Sequence, residues 1–429
     1  MIKPDSFTAA FILAPRSATV VRVEHGGVHT QSFPRRSDAL TVDALVLAAR
    51  RFPDTGGVIY LRDADYAESD IVSVAKLLGE QGFSVGNVGR VVETRWMRVY
   101  DGPTPPFVIA FAPLNDHDYL SGILTDPTDL PLFLGMYQDA TGAPWYSTPG
   151  LSGMVALRAF LEEGRKPRWS SPRPGGVAPV SELKWRGTPA TGDEPVTRWD
   201  MRWARLNAAA AVALPLGQLA QGRIQDFADR DEFGYFKVSY LEVMGSPAVA
   251  ALRKKGMPDG LLERLWGTTD TYDGGVWITT PVRDLLAEIG FHGIVLDSWT
   301  APGGELLRPW AWAIRDALYE IRDEIGTPAG ALGRALVWEP LKDTYRQACG
   351  MVATAGRSIY RPDWHDLWIS MEKMLVMRRV LKVGRELSRW PAVIDVDELT
   401  YAGDDAWQIH ALIGAGTKAG QMRTEEDGD

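Results

Sequence analysis

Residues 391–405, with the sequence PAVIDVDELTYAGDD, set apolar and acidic side chains in alternation. Successive side chains of an extended chain point to opposite faces, so we expect Asp395 and Asp397 on one face. The other face then carries Ile394, Val396 and Glu398. Two carboxylates on one face repel each other, and a divalent cation relieves that repulsion. Oxygen ligands of this kind suit Mg²⁺ or Mn²⁺. The stretch therefore predicts a strand that helps to hold a metal ion, although an isolated Asp-x-Asp pair is also typical of a solvated turn.

Composition narrows the class of protein. The chain has 429 residues, of which 45% are hydrophobic and 24% charged, proportions typical of a globular protein with two or three cores. The first apolar run, before Pro15, is too short for a signal peptide or a membrane span. Cys349 is the single cysteine, which excludes an intramolecular disulfide and metal sites built from several thiolates. We therefore expect a cytoplasmic protein without a membrane partner.

The charge distribution leaves two interpretations open. A formal net charge of -9 disfavours delocalised nucleic-acid binding, because phosphate contacts need local positive potential. Arg and Lys nevertheless outnumber Asp and Glu in residues 158–205 and 342–389. Each of these basic regions is compatible with a nucleic-acid contact or with a solvated helix face.

Residues 165–195 are rich in Pro, Gly, Ser and Arg, which is typical of a domain boundary. We predict a first domain at 1–165, a basic linker at 166–195 and a second domain at 196–429. The linker is either passive or a loop that contacts a nucleic-acid backbone. Strand and helix patterns alternate in the first domain and predict an α/β layer. The predicted helices are 42–52, 69–81, 128–142, 150–163, 308–325, 339–353 and 363–387, and the predicted strands include a hairpin at 11–33 and single strands at 57–61, 91–100 and 107–111.

Two further segments carry candidate site residues. Asp200 follows an extended segment and precedes an alanine-rich helix at 206–216, so it is either a carboxylate at a strand end or a helix N-cap. Lys342 and Arg346 lie one helical turn apart on one face. Two cations so placed are suited to a triphosphate, or they pair with Glu339 and Asp343 in a surface network.

The order of these segments resembles motifs A, B and C of family B DNA polymerases. Asp200 corresponds to the motif A aspartate, and Asp395, Val396, Asp397 and Glu398 correspond to the Asp-Thr-Asp-Ser of motif C. In motif B the family has Lys-x-x-x-Asn-Ser-x-Tyr-Gly. The motif B positions are occupied here by Lys342, Arg346, Gln347, Cys349 and Gly350.

A closer resemblance, over residues 132–423, is to polymerase-like proteins of actinobacterial phages, mobile elements and linear replicons, including the telomere-associated proteins of Streptomyces. It is carried by the strings TPGLSG, LPLG, GYFKV, WITTP, RPDW and DVDELTYAGDD. The resemblance implies an α/β (α+β) architecture. A ribonuclease H-like N-terminal domain would be followed by a polymerase palm with helical fingers and a minimal or absent thumb.

The resemblance also implies a site. Asp200 and Asp397, assisted by Asp395, would hold two Mg²⁺ or Mn²⁺ ions that activate a primer hydroxyl and neutralise the leaving pyrophosphate. Lys342 and Arg346 would bind the incoming nucleotide, and Cys349 and Gly350 would line its pocket.

The chain departs from the family at several positions. Arg205 occupies the place of the motif A tyrosine that excludes ribonucleotides, and Cys349 that of the motif B tyrosine, which leaves sugar selection open. Lys418 or Arg423 would supply the basic residue that contacts the primer backbone. The first domain lacks the family's Asp-x-Glu pair, so we expect no proofreading. Its scattered acids are Asp63, Asp65, Asp116, Asp118 and Asp139.

These features predict a DNA polymerase-like nucleotidyltransferase without proofreading. Its partners would be primer-template or single-stranded DNA, nucleoside triphosphates and a replication or terminal protein. One alternative is a catalytically impaired relative that binds DNA ends in a replication complex, and another is a primase-polymerase that starts chains unaided. The sequence lacks the phosphate-binding loop of ATPases and paired histidines at zinc-ligand spacing.

Overall fold

The computed structural model describes most of the second half of the chain and parts of the first. The described residues are 8–13, 18–24, 27–33, 57–62, 68–89, 91, 96–100, 107–111, 130–143, 145, 148–163, 167–187, 195–222, 227, 231–266, 274–403 and 406–424. Among them, helices and mostly antiparallel strands form a mixed α/β structure, as the alternating patterns predicted. None of the described helices is both long and apolar enough to cross a membrane.

The secondary-structure elements are numbered here in chain order. The strands are β1 (Thr8–Leu13), β2 (Ala18–Glu24), β3 (Gly27–Phe33), β4 (Gly57–Arg62), β5 (Ser84–Val85), β6 (Trp96–Tyr100), β7 (Phe107–Phe111), β8 (Lys184–Arg186), β9 (Val196–Met201), β10 (Ala213–Pro215), β11 (Ala220–Gln221), β12 (Glu232–Ser239), β13 (Gly275–Thr279), β14 (Val295–Pro302), β15 (Gly304–Leu306), β16 (Val393–Asp395), β17 (Glu398–Ala402) and β18 (Met422–Thr424). The helices are α1 (Glu68–Glu80), α2 (Leu130–Thr141), α3 (Pro149–Glu163), α4 (Ala204–Ala211), α5 (Tyr240–Gly245), α6 (Pro247–Lys254), α7 (Thr280–Glu288), α8 (Arg308–Asp323), α9 (Pro328–Leu336), α10 (Trp338–Met351), α11 (Pro362–Leu387) and α12 (Ala406–Ile413), with a short 3-10 helix at Leu262–Leu265.

The chain divides into two compact units. Unit one comprises residues 1–164 and 316–348, and unit two comprises 165–315 and 349–429. The first boundary falls at the start of the Pro- and Gly-rich segment. Residues 316–348 belong to the same unit as the N-terminal residues, and part of the segment predicted as a linker forms β8 in a sheet of unit two. The predicted division into a nuclease-like and a polymerase-like domain stays a prediction.

Unit one contains a seven-stranded sheet in the order β3-β2-β1-β4-β7-β6-β5. β1, β2 and β3 form an antiparallel meander, whereas β1, β4 and β7 are parallel. The predicted hairpin, the strands at 57–61 and 107–111 and the helix at 69–81 are confirmed. The ribonuclease H-like assignment stays a prediction. The predicted helix at 42–52 and the acids Asp63, Asp65, Asp116 and Asp118 lie outside the described residues, and Asp139 lies exposed on α2.

Close packing joins the helices of unit one. The rings of Phe133 and Tyr137 meet Trp145 edge to face, with centroids 5.1 and 5.0 Å apart. The hydroxyl groups of Tyr137 and Thr344 share a 2.6 Å hydrogen bond between α2 and α10. Gly153 permits the approach of α3 to α10, because a Cβ at this position would lie 2.6 Å from the carbonyl oxygen of Thr344.

The described residues of unit two form three sheets, of which the largest has the order β18-β9-β17-β16-β8. One face of this five-stranded sheet is apolar and belongs to a core that it shares with α11. The buried side chains of this face are Trp185, Trp199, Met201, Ile394, Leu399, Tyr401 and Met422, and α11 contributes Met374, Met377, Val380 and Leu381. Because side chains alternate along a strand, the polar residues between them are placed on the opposite face.

Candidate active site on the five-stranded sheet

A row of charged residues crosses the polar face of the five-stranded sheet. The strand registers pair Arg423 with Asp200, Asp200 with Glu398, Glu398 with Asp395, and Asp395 with Lys184. Directly opposite residues in antiparallel strands share a face and lie about 4.5–5.5 Å apart. We call these five residues the charged row: three carboxylates stand side by side, with a cation at each end.

The prediction for residues 391–405 was partly wrong. β16 and β17 form a tight hairpin whose two-residue turn is Val396 and Asp397. The turn reverses the chain, so Asp395 shares its face with Glu398 and not with Asp397. Asp397 instead projects from the turn, where its carbonyl oxygen accepts a hydrogen bond of 3.1 Å from the backbone N–H of Met201. This bond places Asp397 beside the end of β9, which carries Asp200.

Asp397 lies in an acidic and largely desolvated environment. Burial, together with the negative charges of Asp200 and Glu372, raises its pKa from 3.8 to about 7. Glu372 lies on α11 and is only 3% exposed. A cation close to Asp397 would favour the ionised carboxylate and lower this pKa.

Asp200 is the last but one residue of β9 and not a helix cap. The N-cap of α4 is Trp203, which adopts a left-handed backbone conformation with φ 52°. The carboxylate of Asp200 accepts hydrogen bonds from Nε and Nη2 of Arg423, at 3.0 and 2.9 Å. Arg423, predicted to contact the primer backbone, therefore forms an ion pair with Asp200.

Arg205 contacts the buried acid behind the site. Its guanidinium donates to Oε2 of Glu372 at 2.9 Å and to Oε1 of Glu182 at 3.4 Å. Cys349 is fully buried, and burial raises its thiol pKa well above the ordinary value, although the charge of Arg205 opposes the shift. The thiol therefore stays protonated. Arg205 neutralises Glu372, which would otherwise raise the pKa of Asp397 further.

The remaining predicted residues are distributed over both units. In unit one, Lys342 donates to Glu339 at 2.9 Å, and Arg346 lies 3.8 Å from Asp343. These are the pairs of the predicted surface network, and triphosphate binding by Lys342 and Arg346 stays a prediction. In unit two, Gly350 is exposed at the end of α10, and Lys418 lies in an exposed loop before β18.

The arrangement of the carboxylates is better suited to one divalent ion than to the two ions that the sequence predicted. Among the described residues, no group of three or more His, Cys, Asp and Glu side chains is arranged to hold a metal ion. Asp395 lies two strands from Asp200, roughly 10 Å away at the usual strand spacing, and is 3.5 Å from Lys184. Asp200 lies close enough to Asp397 for its charge to raise the pKa of Asp397. Mg²⁺ typically takes one or two carboxylates and completes its shell with water and substrate phosphates, so this pair fits such an ion.

Comparison with known proteins adds structural likenesses only. No protein-family model matches the chain, and no curated protein is significantly similar to it in sequence. The structure is similar to Phi29 DNA polymerase complexed with primer-template DNA, with 11% identity and a TM-score of 0.44, over 97% of this chain and 82% of that chain. It is also similar to Phi29 DNA polymerase complexed with single-stranded DNA, with 11% identity and a TM-score of 0.43, over 98% and 84% of the two chains. These neighbours are DNA polymerases, the class that the sequence motifs resemble, but likenesses at this level leave the function to be inferred from the chain's own residues.

Three residues of the site were not predicted from the sequence. Lys184 lies in a segment whose Pro- and Gly-rich surroundings indicated a linker, and the pattern Lys-Trp-Arg was its only strand signal. Glu398 was expected on the opposite face to Asp395, because the turn was not recognised. Glu372 lies within a long helix, where an acid is usually solvated. The burial of Glu372 on α11, in contact with Arg205, becomes visible only in the folded structure.

Proposed function

We propose that this chain is a nucleotidyltransferase that extends a nucleic-acid primer on a template, with a divalent metal ion held by Asp200 and Asp397. The observation that carries the proposal is the hydrogen bond from the backbone N–H of Met201 to the carbonyl oxygen of Asp397, which brings Asp397 beside Asp200 at the end of β9. The charge of Asp200 and burial raise the pKa of Asp397 there, in agreement with this placement. Asp200, Glu372 and Asp397 are far apart in sequence, but in the fold they lie close enough for the charges of the first two to raise the pKa of Asp397. Such a site favours a cation, and strongly perturbed carboxylates are typical of catalytic sites.

A bound Mg²⁺ or Mn²⁺ would supply charge neutralisation for a phosphoryl group and activation of a hydroxyl nucleophile. The residues of the chain prepare that site. Asp200 offers its carboxylate from the end of β9 and Asp397 from the turn between β16 and β17, and the hydrogen bond from Met201 fixes that turn beside β9. Arg205 pairs with Glu372 behind them, at 2.8 Å.

The proposed substrates are nucleoside triphosphates and a primer-template or single-stranded DNA. Lys342 and Arg346 would bind the triphosphate, and Arg423 and Lys418 would contact the primer backbone. The first unit would lack proofreading activity. The setting implied by the sequence resemblance is the replication of phage, mobile-element or linear-replicon DNA with a replication or terminal protein, and it forms part of this proposal.

One observation favours a second candidate function. Asp200 is paired with Arg423 and Asp395 with Lys184, so cations of the protein already neutralise two of the three predicted metal ligands. Such internal neutralisation is what a catalytically impaired relative would need in order to keep its fold without a metal ion. The alternative is therefore a DNA-binding protein of a replication complex.

A primer-extension assay with Mg²⁺ or Mn²⁺ separates the two candidates. The wild type should incorporate nucleotides, and Asp397→Asn or Asp200→Asn should lower the rate by at least about a hundredfold, since each removes a charge that balances the metal ion. Asp395→Asn is the matched control, because it changes an exposed acid of the same hairpin that is paired with Lys184.

The outcomes are distinct. Incorporation that depends on Asp397 and Asp200 supports the nucleotidyltransferase. DNA binding by the wild type without incorporation under either metal supports the binding protein. Incorporation that survives Asp397→Asn unchanged would contradict the assignment of the site. A reaction without primer tests the primase-like variant of the same activity.

A further inference from the structure

A second site lies on the four-stranded sheet of unit two, whose strand order is β11-β14-β12-β13. A cavity of about 340 Å³ covers one face of this sheet, with the segment 175–180 forming a wall and Leu265 and Trp266 closing another side. Pockets for small molecules range from about 300 to 1,000 Å³ and are lined by aromatic side chains with a few polar groups. This cavity has both properties.

The floor of the cavity combines a cation, an acid and an indole. The register places Lys237 of β12 between Asp297 of β14 and Trp277 of β13. The Nζ atom of Lys237 lies 5.9 Å from the centroid of the Trp277 ring. The charges of Lys237 and Asp297 cancel, so the floor suits a ligand without net charge better than a phosphate group.

Two buried polar atoms of the cavity lining lack a hydrogen-bond partner. They are Oγ1 of Thr279 and Nε1 of Trp266, and no described group of the chain bonds to either. Thr279 is 2% exposed and pairs with Tyr235 across the sheet. An unsatisfied buried polar atom is costly, so a ligand that reached either atom after a small side-chain movement would gain a hydrogen bond there.

The wall of the cavity is held in place independently of a ligand. Arg173, just before the wall segment, donates to Oδ2 and Oδ1 of Asp366 at 2.8 and 2.9 Å. The backbone N–H of Val180 and the hydroxyl of Tyr235 donate to the same carboxylate, at 3.3 and 2.7 Å. The Asp366 side chain is fully buried on α11. The three hydrogen bonds from Arg173 and Val180 therefore fix both ends of the wall to the helix, and the bond from Tyr235 ties β12 to the same carboxylate.

Gly275 keeps the floor open at one edge. A Cβ at this position would lie 2.6 Å from Cε of Lys237. The aliphatic part of Lys237 therefore lies directly over the glycine, and a side chain there would push the lysine into the cavity. A larger residue at this position would therefore have to displace the flexible lysine side chain.

We propose that this cavity binds a nucleobase, either in a free nucleoside or as an unstacked base of a nucleic-acid strand. Base rings stack on indoles with little dependence on sequence, and Trp277 and Trp266 both line the cavity. The edge of a base presents donors and acceptors together, which match the Asp297 carboxylate and the groups on Thr279, Trp266 and Lys237. The site is additional to the proposed catalytic centre, since neither Asp200 nor Asp397 contributes to it.

Calorimetric titration of the full chain tests the proposal with two kinds of probe. The first is the set of free nucleosides: adenosine, guanosine, cytidine, thymidine and uridine. The second is a short single-stranded oligonucleotide compared with an abasic strand of equal length, which carries the same phosphates without bases. Binding of a nucleoside would show that the cavity takes a free nucleoside. A preference for the base-bearing strand without nucleoside binding would show that it takes an unstacked base of a nucleic-acid strand.

Three variants locate the binding. Trp277→Ala should lower the affinity for the preferred probe by about tenfold or more, the usual effect of losing a stacking partner. Lys237→Met keeps the apolar part of the side chain and removes the ammonium group. It should lower the affinity for the preferred probe severalfold. Trp407→Ala is the matched control, because that tryptophan is 73% exposed on α12 and should leave affinity unchanged. Should Trp277→Ala fail to fold, as judged by urea unfolding, Lys237→Met decides.

Two results would show that the cavity does not bind a nucleobase. The proposal is wrong if no nucleoside binds more tightly than about 1 mM and the two strands bind equally. It is also wrong if Trp277→Ala and Lys237→Met fold and bind the preferred probe as the wild type does. Asp397→Asn should retain nucleobase binding, so failure of the proposed catalytic function would not be mistaken for failure of this site.

Discussion

Arg423 donates two hydrogen bonds to a single oxygen of Asp200, Oδ2, from Nε at 3.0 Å and from Nη2 at 2.9 Å. The two residues are direct neighbours on β18 and β9. The guanidinium thus occupies the side of the carboxylate that a metal ion would also use. A divalent ion that binds Asp200 must compete with Arg423 for it.

Replacing Arg423 should therefore strengthen metal binding. We expect Arg423→Gln to raise the affinity for Mn²⁺ roughly fivefold, since a partly exposed ion pair is worth up to about 1 kcal/mol. Titration of Mn²⁺ followed by electron paramagnetic resonance of the free ion measures this without any nucleotide.

Arg186→Gln is the matched control for long-range charge. Arg186 is an exposed residue of β8, and its cross-strand neighbour is Val393 and not a carboxylate. Arg186→Gln should change the affinity for Mn²⁺ less than Arg423→Gln does. Equal effects of the two variants would mean that Arg423 acts through overall charge and that Asp200 is not a ligand.

The raised pKa of Asp397 predicts a pH-dependent stability. The folded protein holds this proton up to pH about 7, whereas the unfolded chain loses it near the ordinary value of 3.8. Between these values the folded state binds more protons, so the contribution of Asp397 to the free energy of unfolding falls as the pH rises and reaches its lowest value above pH 7. Asp397→Asn, which mimics the protonated acid, should match the wild type near pH 4 and be more stable at pH 8.

The pKa shift of Asp397 sets the size of the stability difference between Asp397→Asn and the wild type. One pKa unit corresponds to about 1.4 kcal/mol, so after allowance for partial solvent screening we expect at least about 1 kcal/mol at pH 8. Urea unfolding at both pH values measures it. Asp395→Asn removes the same charge from an exposed position of the hairpin and reports any general effect of lowering the negative charge. A constant difference between Asp397→Asn and the wild type from pH 4 to 8 would contradict the raised pKa.

The sequence predicted long, strongly periodic elements well and the site geometry only in part. The helix predicted at 363–387 is observed at Pro362–Leu387, because a regular apolar stripe and a proline at its start leave few alternatives. The hairpin turn at Val396 was missed because two-residue turns are usually marked by glycine or asparagine. Pairing between β9, β17 and β18 joins segments about 200 residues apart, as in Arg423 with Asp200, and local patterns carry no information about such pairing.

The turn at Val396 stores backbone strain. Val396 has φ 59°, a left-handed conformation that β-branched residues avoid and that costs roughly 1–3 kcal/mol. Glycine adopts it freely but loses about 0.4–1 kcal/mol through the entropy of the unfolded chain. Val396→Gly should therefore stabilise the protein by about 1 kcal/mol in urea unfolding. Val393→Gly, in the adjacent strand without a positive φ, should destabilise it.

Because the strained residue directly precedes Asp397, the same substitution should also affect metal binding. The valine side chain restricts the turn, and a glycine would allow Asp397 to sample positions away from Asp200. We therefore expect Val396→Gly to gain stability and to bind Mn²⁺ severalfold more weakly, the exchange of stability for function that is common at strained sites. Unchanged Mn²⁺ affinity in a stabilised Val396→Gly protein would show that the strain does not position the carboxylate. A loss of stability as large as that of Val393→Gly would show that the turn is not strained.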